Sequence, residues 1–288
     1  ELPKRLLVLG GGPIGCELAQ AFARLGSEVT VLDRADHLMG REDTDASNIV
    51  EQAFRERGIT LLLGHEMKHF RAGEAGDLLV ATAPDGTDSE IGFDKVLVAL
   101  GRKPNVEGFG LEELKVPLTE RGSIQVDSAM RTAYPSILAC GDVAGPYQFT
   151  HMASFQAWYA TLNALAGALK TFRADYRVVP HATFTDPEVA RVGLNEKEAR
   201  EQDIDYELTR YDLDHLDRAL ADGHAHGFVK VLTVPGKDRI LGATIVGAHA
   251  GDLIAEFVLA MKHGLGLNKI LGTIHIYPTL AEANKGVA

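Results

Sequence analysis

The sequence predicts an α/β fold class whose first part is a doubly wound parallel sheet. Over residues 4–103, apolar runs of strand length alternate with segments that have apolar residues at helical spacing. This order is typical of right-handed, parallel strand–helix–strand units. From about residue 173 a different order begins, in which strands are followed by long helical stretches, and this order predicts an α+β domain.

The elements of the first part follow from apolar patterning and from glycine positions. Residues 4–10 are almost continuously apolar, as expected for a parallel strand that is buried on both faces. Helices are predicted over 15–26 and 43–58, because each has helical spacing and ends near a glycine. The remaining predicted strands of this part cover 27–33, 59–64, 77–86 and 93–101.

Pro104 and nearby glycines mark a linker after this first part. The segment that follows is short for a domain, with predicted strands at 122–127 and 136–143 and a helix at 155–170. In the last part, the predicted strands are 181–185, 206–213, 227–234 and 240–247, and the predicted helices are 250–264 and 279–285. The predicted domains are therefore 1–103, 104–172 and 173–288.

Composition excludes several classes of function. The 288-residue chain has a formal net charge of −11, which argues against binding to nucleic acid or to an anionic membrane, since both require basic patches. The chain has only two cysteines, Cys16 and Cys140, which cannot form a disulfide scaffold or a cysteine zinc site. We therefore predict that both are small buried side chains and that the chain has no metal site. Low cysteine content also predicts a cytoplasmic location. No apolar run approaches the roughly 20 residues that a membrane span needs.

A glycine-rich turn separates the first predicted strand from the first predicted helix. Gly10, Gly12 and Gly15 match G-x-G-x-x-G, which gives a tight turn, close approach of a pyrophosphate and close helix–strand packing. Asp33 ends the next strand, where a carboxylate accepts hydrogen bonds from a ribose and disfavours a 2′-phosphate, although the following Arg34 softens that preference. We therefore predict a dinucleotide site that prefers NAD to NADP; the alternative is a tight turn without a ligand.

Three further features suggest chemistry. The stretch "TAYPSILACGDVAG" delivers Asp142 to the carboxyl end of a predicted strand, where ligands bind in α/β sheets. The stretch "HIYPTLAEANK" holds His275, Tyr277 and Glu282, and contact between Glu282 and either ring would make an acid–base pair. Its alternative is a helix start with a capped first turn. Glu17 is predicted in the first turn of the first helix, where stabilisation of the helix dipole is the alternative to a catalytic role.

In this order, the motifs resemble those of the pyridine nucleotide–disulfide oxidoreductase family, over essentially the whole chain. The resemblance is carried by "LVLGGGPIGCELAQAFARLGSEVTVLDR", "VALGRKPN", "TAYPSILACGDVAG", "HATFTDPEVARVGLNEKEA" and "GFVKVLTVPGKDRILGATIVGAHAGDLIAEFVLAMKHG". It implies a Rossmann-like NAD(P)-binding domain over 1–103, the C-terminal part of an FAD-binding domain over 104–172, and a dimerisation domain over 173–288 that joins two copies of the chain.

The resemblance also implies roles for the residues near the pyridine nucleotide. The three loop glycines would hold the NAD pyrophosphate, and Asp33 would hold the adenosine ribose. Gly101 and Arg102 would border the nicotinamide nucleotide. Glu17 would lie near the nicotinamide and pair with a lysine beside the flavin, a residue for which this chain has no counterpart.

Other residues are implied to serve the flavin and the acceptor. Asp142 would bind the flavin ribityl chain, and the backbone of Thr150, His151 and Met152 would contact the isoalloxazine ring. Tyr277 and Glu282 would cross to the active site of the partner subunit.

Two departures from the family pattern shape the functional prediction. The family begins with an FAD-binding segment that has its own G-x-G-x-x-G and usually a C-x-x-x-x-C redox pair; because neither is found here, we expect a fragment that is inactive alone. Second, Tyr277 stands where the disulfide reductases carry a catalytic histidine. With a reference pKa near 10, tyrosine serves more readily as a proton donor than as a base.

The predicted activity is that of a homodimeric, FAD-dependent oxidoreductase. Hydride would pass from NAD(P)H to the flavin, and electrons would then pass to a disulfide, a metal ion or another small-molecule acceptor. Mercuric reductases and the soluble pyridine nucleotide transhydrogenases also have tyrosine at the position of Tyr277, so the first subgroup is favoured and the second is the alternative. For this chain alone, the alternative is a non-catalytic NAD-binding and dimerisation fragment.

Overall fold

The computed structural model describes residues 1–73 and 76–288. The chain divides into two compact units, one formed by residues 1–100 together with 178–288, and the other by residues 101–177. The mixed α/β architecture confirms the predicted fold class. The division into three domains at 103 and 172 stays a prediction.

A four-stranded parallel sheet organises the first hundred residues. Its elements and those beside it are β1 (Arg5–Leu9), α1 (Pro13–Arg24), β2 (Glu28–Asp33), α2 (Thr44–Glu56), β3 (Thr60–Leu63), β4 (Glu66–Arg71), β5 (Asp77–Thr82), β6 (Asp88–Phe93) and β7 (Lys95–Val98). The order in the parallel sheet is β3-β2-β1-β7. The first strand is central because it is the most apolar, and it is buried from Leu6 to Leu9.

One predicted strand of the first part belongs to a different sheet. Strand β5 lies between β4 and β6 in a three-stranded antiparallel sheet, not in the parallel one. The turn from β5 to β6 spans only residues 83–87, whereas a parallel crossover needs a dozen or more residues. Strand β4 was not predicted. All six of its residues are exposed, so its sequence lacks the alternation of apolar and polar residues that is typical of a half-buried strand.

The unit formed by residues 101–177 has one long helix, α3 (Thr150–Ala166). The strands predicted at 122–127 and 136–143 are wrong as regular strands, since these stretches form the isolated bridges Leu118–Ile124 and Arg131–Leu138. The chain turns back too soon for a ladder: the Thr132 N–H donates to the carbonyl of Ile137. Helix α3 begins at Thr150, five residues before the predicted start.

The last part of the chain is built on a five-stranded antiparallel sheet in the order β10-β11-β12-β9-β8. Its elements are β8 (Pro180–Thr183), β9 (Glu188–Gly193), α4 (Glu196–Glu201), β10 (Glu207–Asp212), a 3₁₀ turn (Leu213–His215), α5 (Asp217–Asp222), β11 (Phe228–Thr233), β12 (Ile240–Gly247), α6 (Ala250–Leu253), α7 (Ala255–Lys262), α8 (Leu267–Leu271) and α9 (Glu282–Gly286). The central strand in this order is β12, and all six residues of the neighbouring β11 are buried.

The two stretches of the larger unit share an apolar core. Val189, Phe228 and Val246 of the antiparallel sheet belong to the same buried cluster as Phe54 of α2 and Val31 of β2. Burial of such side chains stabilises a folded protein by about 1.5–3 kcal/mol each. The antiparallel sheet therefore helps to fix the parallel sheet and its loops.

Within residues 1–73 and 76–288, no helix has both the length and the apolar character for crossing a membrane.

Candidate functional site

The glycine-rich turn between β1 and α1 is packed tightly at two of its glycines. Gly10 has a φ of +103°, and a Cβ there would lie 2.6 Å from the carbonyl oxygen of Ala99. A Cβ on Gly15 would lie 1.8 Å from the carbonyl oxygen of Gly10. A larger residue at Gly10 would collide with the backbone that follows β7, and one at Gly15 would push the helix away from the end of β1, so both glycines are required by packing.

Gly12, in contrast, faces open space. It is the N-cap residue of α1, with an ordinary φ of −74°, and no heavy atom lies within 4 Å of the position that a Cβ would take. The 12-residue helix begins there, and the N–H groups of its first turn lack partners within the helix and favour an anion. The space and the donors together fit a pyrophosphate.

The carboxylate of Asp33 is held beside this turn. One oxygen accepts a hydrogen bond from the Gly11 N–H at 2.5 Å, and the other accepts from the Ala35 N–H at 2.8 Å. A carboxylate has about four acceptor positions, so capacity remains for the hydroxyls of a ribose. The next side chain, Arg34, is exposed.

Gly11 is a site residue that the motif did not identify. A Cβ there would lie 2.7 Å from Cδ2 of Leu38 and 3.3 Å from a carboxylate oxygen of Asp33. The sequence did hold a clue to its role: three consecutive glycines, Gly10, Gly11 and Gly12, of which the motif G-x-G-x-x-G requires only the first and the third. The third is required because the segment after β2 packs against the turn.

Cys16 is a buried side chain of this turn, as predicted. Its thiol donates to the carbonyl oxygen of Gly11 at 3.2 Å. Burial, reinforced by Asp33 and Glu17, raises the pKa of the thiol far above its ordinary value. The thiol therefore stays protonated and unreactive at neutral pH.

Glu17 lies in the second turn of α1, so its predicted place in the first turn is wrong. The helix begins at Pro13, two residues earlier than predicted, which moves Glu17 away from the helix end and weakens any interaction with the dipole. One of its carboxylate oxygens accepts a hydrogen bond from the Phe184 N–H at 2.9 Å. In this structure Glu17 thus ties α1 to the turn between β8 and β9, and its pairing with a lysine stays a prediction.

Within residues 101–177, the structure brings two predicted site residues together. An Nη atom of Arg102 lies 3.4 Å from a carboxylate oxygen of Asp142 and 3.4 Å from the carbonyl oxygen of Gln148, and both side chains of the ion pair are about half exposed. Gly101, just before Arg102, has a φ of +119°. The exposed carboxylate and guanidinium are available to a polar ligand.

The first turn of α3 carries the other residues predicted near a flavin. Thr150 and His151 are exposed, whereas Met152 is buried. The His151 ring stacks on Phe149, with ring centroids 5.2 Å apart. The first turn of a 17-residue helix offers backbone N–H groups, which suits a contact made by backbone.

Gln156 of α3 is a supporting residue that sequence reasoning missed. Its side chain is fully buried, accepts from the Gly141 N–H at 2.6 Å and donates to the carbonyl oxygen of Gly145 at 2.7 Å. These two bonds fix the turn that carries Asp142. A single glutamine in a helix gives no sequence signal for such a role.

The C-terminal motif forms different pairs from those predicted. The Tyr277 hydroxyl donates to Asp217 at 2.9 Å. His275 contacts Glu256 at 3.0 Å, while Glu282 accepts from the Thr279 N–H at 3.5 Å. The two rings therefore contact carboxylates of α7 and α5, and the Glu282–Thr279 contact agrees with the alternative of a helix start with a capped first turn, while the catalytic roles of Tyr277 and Glu282 stay a prediction.

The hydrogen bond to Asp217, together with the charge of that carboxylate, raises the pKa of Tyr277. Tyr277 is exposed, and so are the neighbouring apolar residues Ile274 and Ile276, at 95% and 76%.

Among residues 1–73 and 76–288, no group of three or more histidine, cysteine, aspartate or glutamate side chains is arranged to hold a metal ion.

Comparison with known proteins shows relatives over the whole chain. The chain is 39% identical to dihydrolipoyl dehydrogenase of Chlamydia muridarum over 98% of its own length and 59% of that protein. It is 38% identical to mercuric reductase of Streptomyces lividans over 99% of its length and 59% of that protein. The chain thus spans about 60% of the length of these curated relatives.

Solved structures agree with this relationship. All of the chain superposes on 61% of LpdA from Mycobacterium tuberculosis with a TM-score of 0.87 and 29% identity. All of it also superposes on 64% of the Cu(II) complex of the HOCl-induced flavoprotein disulfide reductase RclA from Escherichia coli, with a TM-score of 0.87 and 29% identity.

Two family models match consecutive parts of the chain. Residues 1–157 match the pyridine nucleotide-disulphide oxidoreductase model, and residues 179–288 match the dimerisation domain of the same family. The match over more than half of the chain, together with the tightly packed Gly10–Gly15 turn, shows that the chain belongs to the pyridine nucleotide-disulphide oxidoreductase family.

Proposed function

We propose that this chain binds the pyridine nucleotide of an FAD-dependent oxidoreductase and helps to form its homodimer. One observation carries the nucleotide site: the open N-terminus of α1 at Gly12, between two glycines that packing demands. The backbone N–H groups of that turn would hold the pyrophosphate. Asp33, fixed by two backbone N–H groups, would accept hydrogen bonds from the adenosine ribose.

Asp33 also supports a preference for NADH over NADPH. A 2′-phosphate would place its negative charge beside this carboxylate. The carboxylate cannot easily turn away, because the backbone N–H groups of Gly11 and Ala35 hold it in place. The exposed Arg34 can reduce this repulsion without removing it. We therefore expect weaker binding of NADPH in a direct titration; tighter binding of NADPH would contradict the role given to Asp33.

When both cofactors are bound, the nicotinamide and the flavin supply the hydride-transfer chemistry. The residues of this chain then bind and orient. Asp142 would accept from hydroxyls of the flavin side chain, with Arg102 holding the carboxylate at 3.4 Å, and the first turn of α3 would supply backbone donors. Tyr277 would keep its proton at the hydroxyl oxygen and donate it in a hydrogen bond, because Asp217 favours the neutral phenol.

We propose a metal ion or a disulfide as the electron acceptor. Similarity to a mercuric reductase and to the Cu(II) complex of RclA favours a metal ion. Similarity to dihydrolipoyl dehydrogenase favours a disulfide, although Tyr277 replaces the expected histidine base. A transhydrogenase-like enzyme, with a second pyridine nucleotide as acceptor, is the alternative that the tyrosine also permits.

The homodimer would form through the last part of the chain. Residues 179–288 match a dimerisation domain, and the segment that carries Tyr277 exposes Ile274 and Ile276. Exposed apolar side chains of this kind mark interaction surfaces. A second copy of the chain would cover them and receive Tyr277 and Glu282 near its own flavin.

The nucleotide site is tested by calorimetric titration of the 288-residue chain with NADH. Gly12→Ala adds a methyl group to the open space without backbone strain, so it should leave the melting temperature unchanged and weaken NADH binding by at least about tenfold. Gly251→Ala, in α6, is the control, because a Cβ there would approach other atoms no closer than 3.4 Å, and it should bind as the unaltered chain does. Equal affinity of the Gly12→Ala variant would overturn the proposed site.

A further inference from the structure

The segment that joins β2 to α2, residues 34–43, forms part of the wall of the glycine-rich turn. The Met39 N–H donates to the carbonyl oxygen of Gly11 at 2.7 Å. The Leu38 side chain is buried and fills the space in front of Gly11. A shift of this segment would therefore move Gly11, the neighbour of the open residue Gly12.

The end of this segment is anchored by a buried ion pair. The Glu42 N–H donates to the carbonyl oxygen of Met39 at 2.8 Å, and the Glu42 carboxylate lies 2.9 Å from Nε of Arg191. Both side chains are buried, with 8% and 5% of their surface exposed. His181 adds a contact to Glu42 at 3.1 Å, and Arg191 also reaches Glu198 at 2.6 Å.

The charges of this pair are maintained by its surroundings. Burial on its own would raise the pKa of Glu42, but His181 and Arg191 outweigh it and the pKa is lowered. Burial would likewise lower the pKa of Arg191, and Glu42 and Glu198 outweigh it. Both groups remain ionised at neutral pH. A pair this deeply buried adds little net stability, but it restricts the geometry of the groups that it joins.

Further bonds from the same stretch hold the rest of the segment. The Asn195 side chain donates to the carbonyl oxygen of Arg41 at 2.9 Å, and Lys197 donates to the carbonyl oxygen of Gly40 at 2.7 Å. Asp43, at the N-cap position of α2, accepts from the Lys197 N–H at 2.9 Å. Residues 40–43 are thus fastened to residues 181–198, which belong to the part that matches the dimerisation domain.

We infer that Arg191, acting through Glu42 and Met39, is a positioning residue for the pyridine nucleotide. This inference rests on the proposed nucleotide site at Gly12. All of the contacts lie within one compact unit, residues 1–100 with 178–288. Nucleotide affinity thus depends on a side chain of β9 in the antiparallel sheet, and linkage makes the dependence reciprocal: bound NADH should protect the contacts of Arg191.

The test compares three variants of the full chain. Arg191→Met removes the charge and keeps the length of the side chain. Glu42→Gln is nearly isosteric, and it serves as the second variant where Arg191→Met fails to fold. Arg71→Met is the matched control, because Arg71 pairs with Glu90 on the antiparallel sheet of β4–β6, where both side chains are half exposed. NADH affinity is measured by calorimetric titration, and amide hydrogen exchange is followed at Leu38 and Met39.

We expect Arg191→Met and Glu42→Gln to weaken NADH binding by roughly three- to tenfold. Exchange at Met39 should accelerate in both variants, while exchange at the fully buried strand β11 should not, which separates local positioning from general destabilisation. Arg71→Met should change neither property. Arg191→Lys, which retains the charge against Glu42, should recover part of the affinity.

Two different results would overturn the inference. If folded Arg191→Met and Glu42→Gln bind NADH as tightly as the unaltered chain, the nucleotide site stands and the positioning role fails. If the unaltered chain itself binds no NADH, the proposed function fails, and the positioning role fails with it.

Discussion

At the scale of single residues, Lys230 is the most deeply buried cation described in the chain's ion pairs, with 2% of its side chain exposed. Its ammonium group lies 2.7 Å from Asp43, 2.9 Å from Asp45 and 3.1 Å from Glu196. Since Asp43 and Asp45 begin α2 and Lys230 lies on β11, this cluster joins the parallel and antiparallel sheets of one unit. The pKa of Lys230 is raised, because the hydrogen bonds to the two aspartates outweigh its burial.

Lys230→Met should destabilise the chain by about 3–5 kcal/mol, because it leaves carboxylates buried without their cation. Urea denaturation measures this change. Lys68→Met, which breaks an exposed pair with Asp88, is the control and should have little effect. If Lys230→Met costs no more than Lys68→Met, the cluster does not hold the sheets together.

The same cluster predicts how stability depends on pH. The pKa of Asp43 is lowered, because Lys230 and two backbone N–H groups outweigh burial, so its contribution is complete above the ordinary value of 3.8 and is lost as the pH falls below it. The raised pKa of Lys230 gives a contribution that is complete below 10.5 and is lost as the pH rises further. The difference in unfolding free energy between the unaltered chain and Lys230→Met should shrink at both extremes; a constant difference would contradict the assignment.

Tyr277 provides a second prediction for a single residue. Asp217→Asn removes the negative charge of the carboxylate that accepts the hydrogen bond from the phenol, so the pKa of Tyr277 should fall towards its ordinary value. Ultraviolet titration of the phenolate measures this shift, and subtraction of the Tyr277→Phe titration isolates Tyr277 from the other six tyrosines. An unchanged titration in Asp217→Asn would show that the hydrogen bond is absent in solution.

The residues that could be predicted from sequence are those whose reason is local. The glycines of the turn and Asp33 stand within 24 positions of each other, on one strand–turn–helix–strand unit. Asp217, the partner of Tyr277, is 60 positions away, and Arg191 is 149 positions from Glu42. Such pairs depend on how sheets pack together, and no spacing rule within a single segment reveals them.

At the scale of elements, apolar patterning located most of the buried strands but missed β9, in which four of the six residues are buried. Strands β1 and β11 are buried over most of their length, and both were predicted within two residues. Strand β4 is exposed throughout and was missed. The predicted strands at 122–127 and 136–143 had suitable composition, but each pairs with its neighbour only at an isolated bridge and forms no ladder. Formation of a regular strand thus depends on a partner strand as well as on composition.

The exposed segment of residues 271–277 predicts where two copies associate. Ile274→Glu places a charge on a side chain that is 95% exposed in the single chain, so folding should be unaffected while self-association weakens. Sedimentation velocity measures the proportion of dimer. Leu169→Glu is the matched control, since Leu169 is 93% exposed but lies outside the part that matches the dimerisation domain. A dimer that survives Ile274→Glu and not Leu169→Glu would place the interface elsewhere.

At the scale of the whole molecule, the larger unit combines segments far apart in sequence. Phe228 and Val246 lie in one apolar cluster with Phe54. The sequence did not predict this contact, because domain boundaries were placed at linkers and at changes in composition. Linkers mark where the chain leaves a unit, and they carry no information about where it returns. The nucleotide turn and the dimerisation sheet are therefore parts of one structural unit.

The flavin supplies a prediction for the whole chain. The chain has one G-x-G-x-x-G turn, and we assign it to the pyridine nucleotide. Purified with added FAD, the 288-residue chain should therefore retain far less than one flavin per chain, measured by visible absorbance after gel filtration. A stoichiometric, tightly held flavin would show that the 288-residue chain suffices for FAD binding.

The central claim is that the open turn at Gly12 receives a pyridine nucleotide. A crystal structure of the chain with NAD⁺ tests it most directly. We predict that the pyrophosphate lies over Gly12, within hydrogen-bonding distance of the N–H groups at the start of α1, and that the adenosine ribose contacts Asp33. Density for the nucleotide elsewhere on the chain, with an empty turn at Gly12, would contradict the claim.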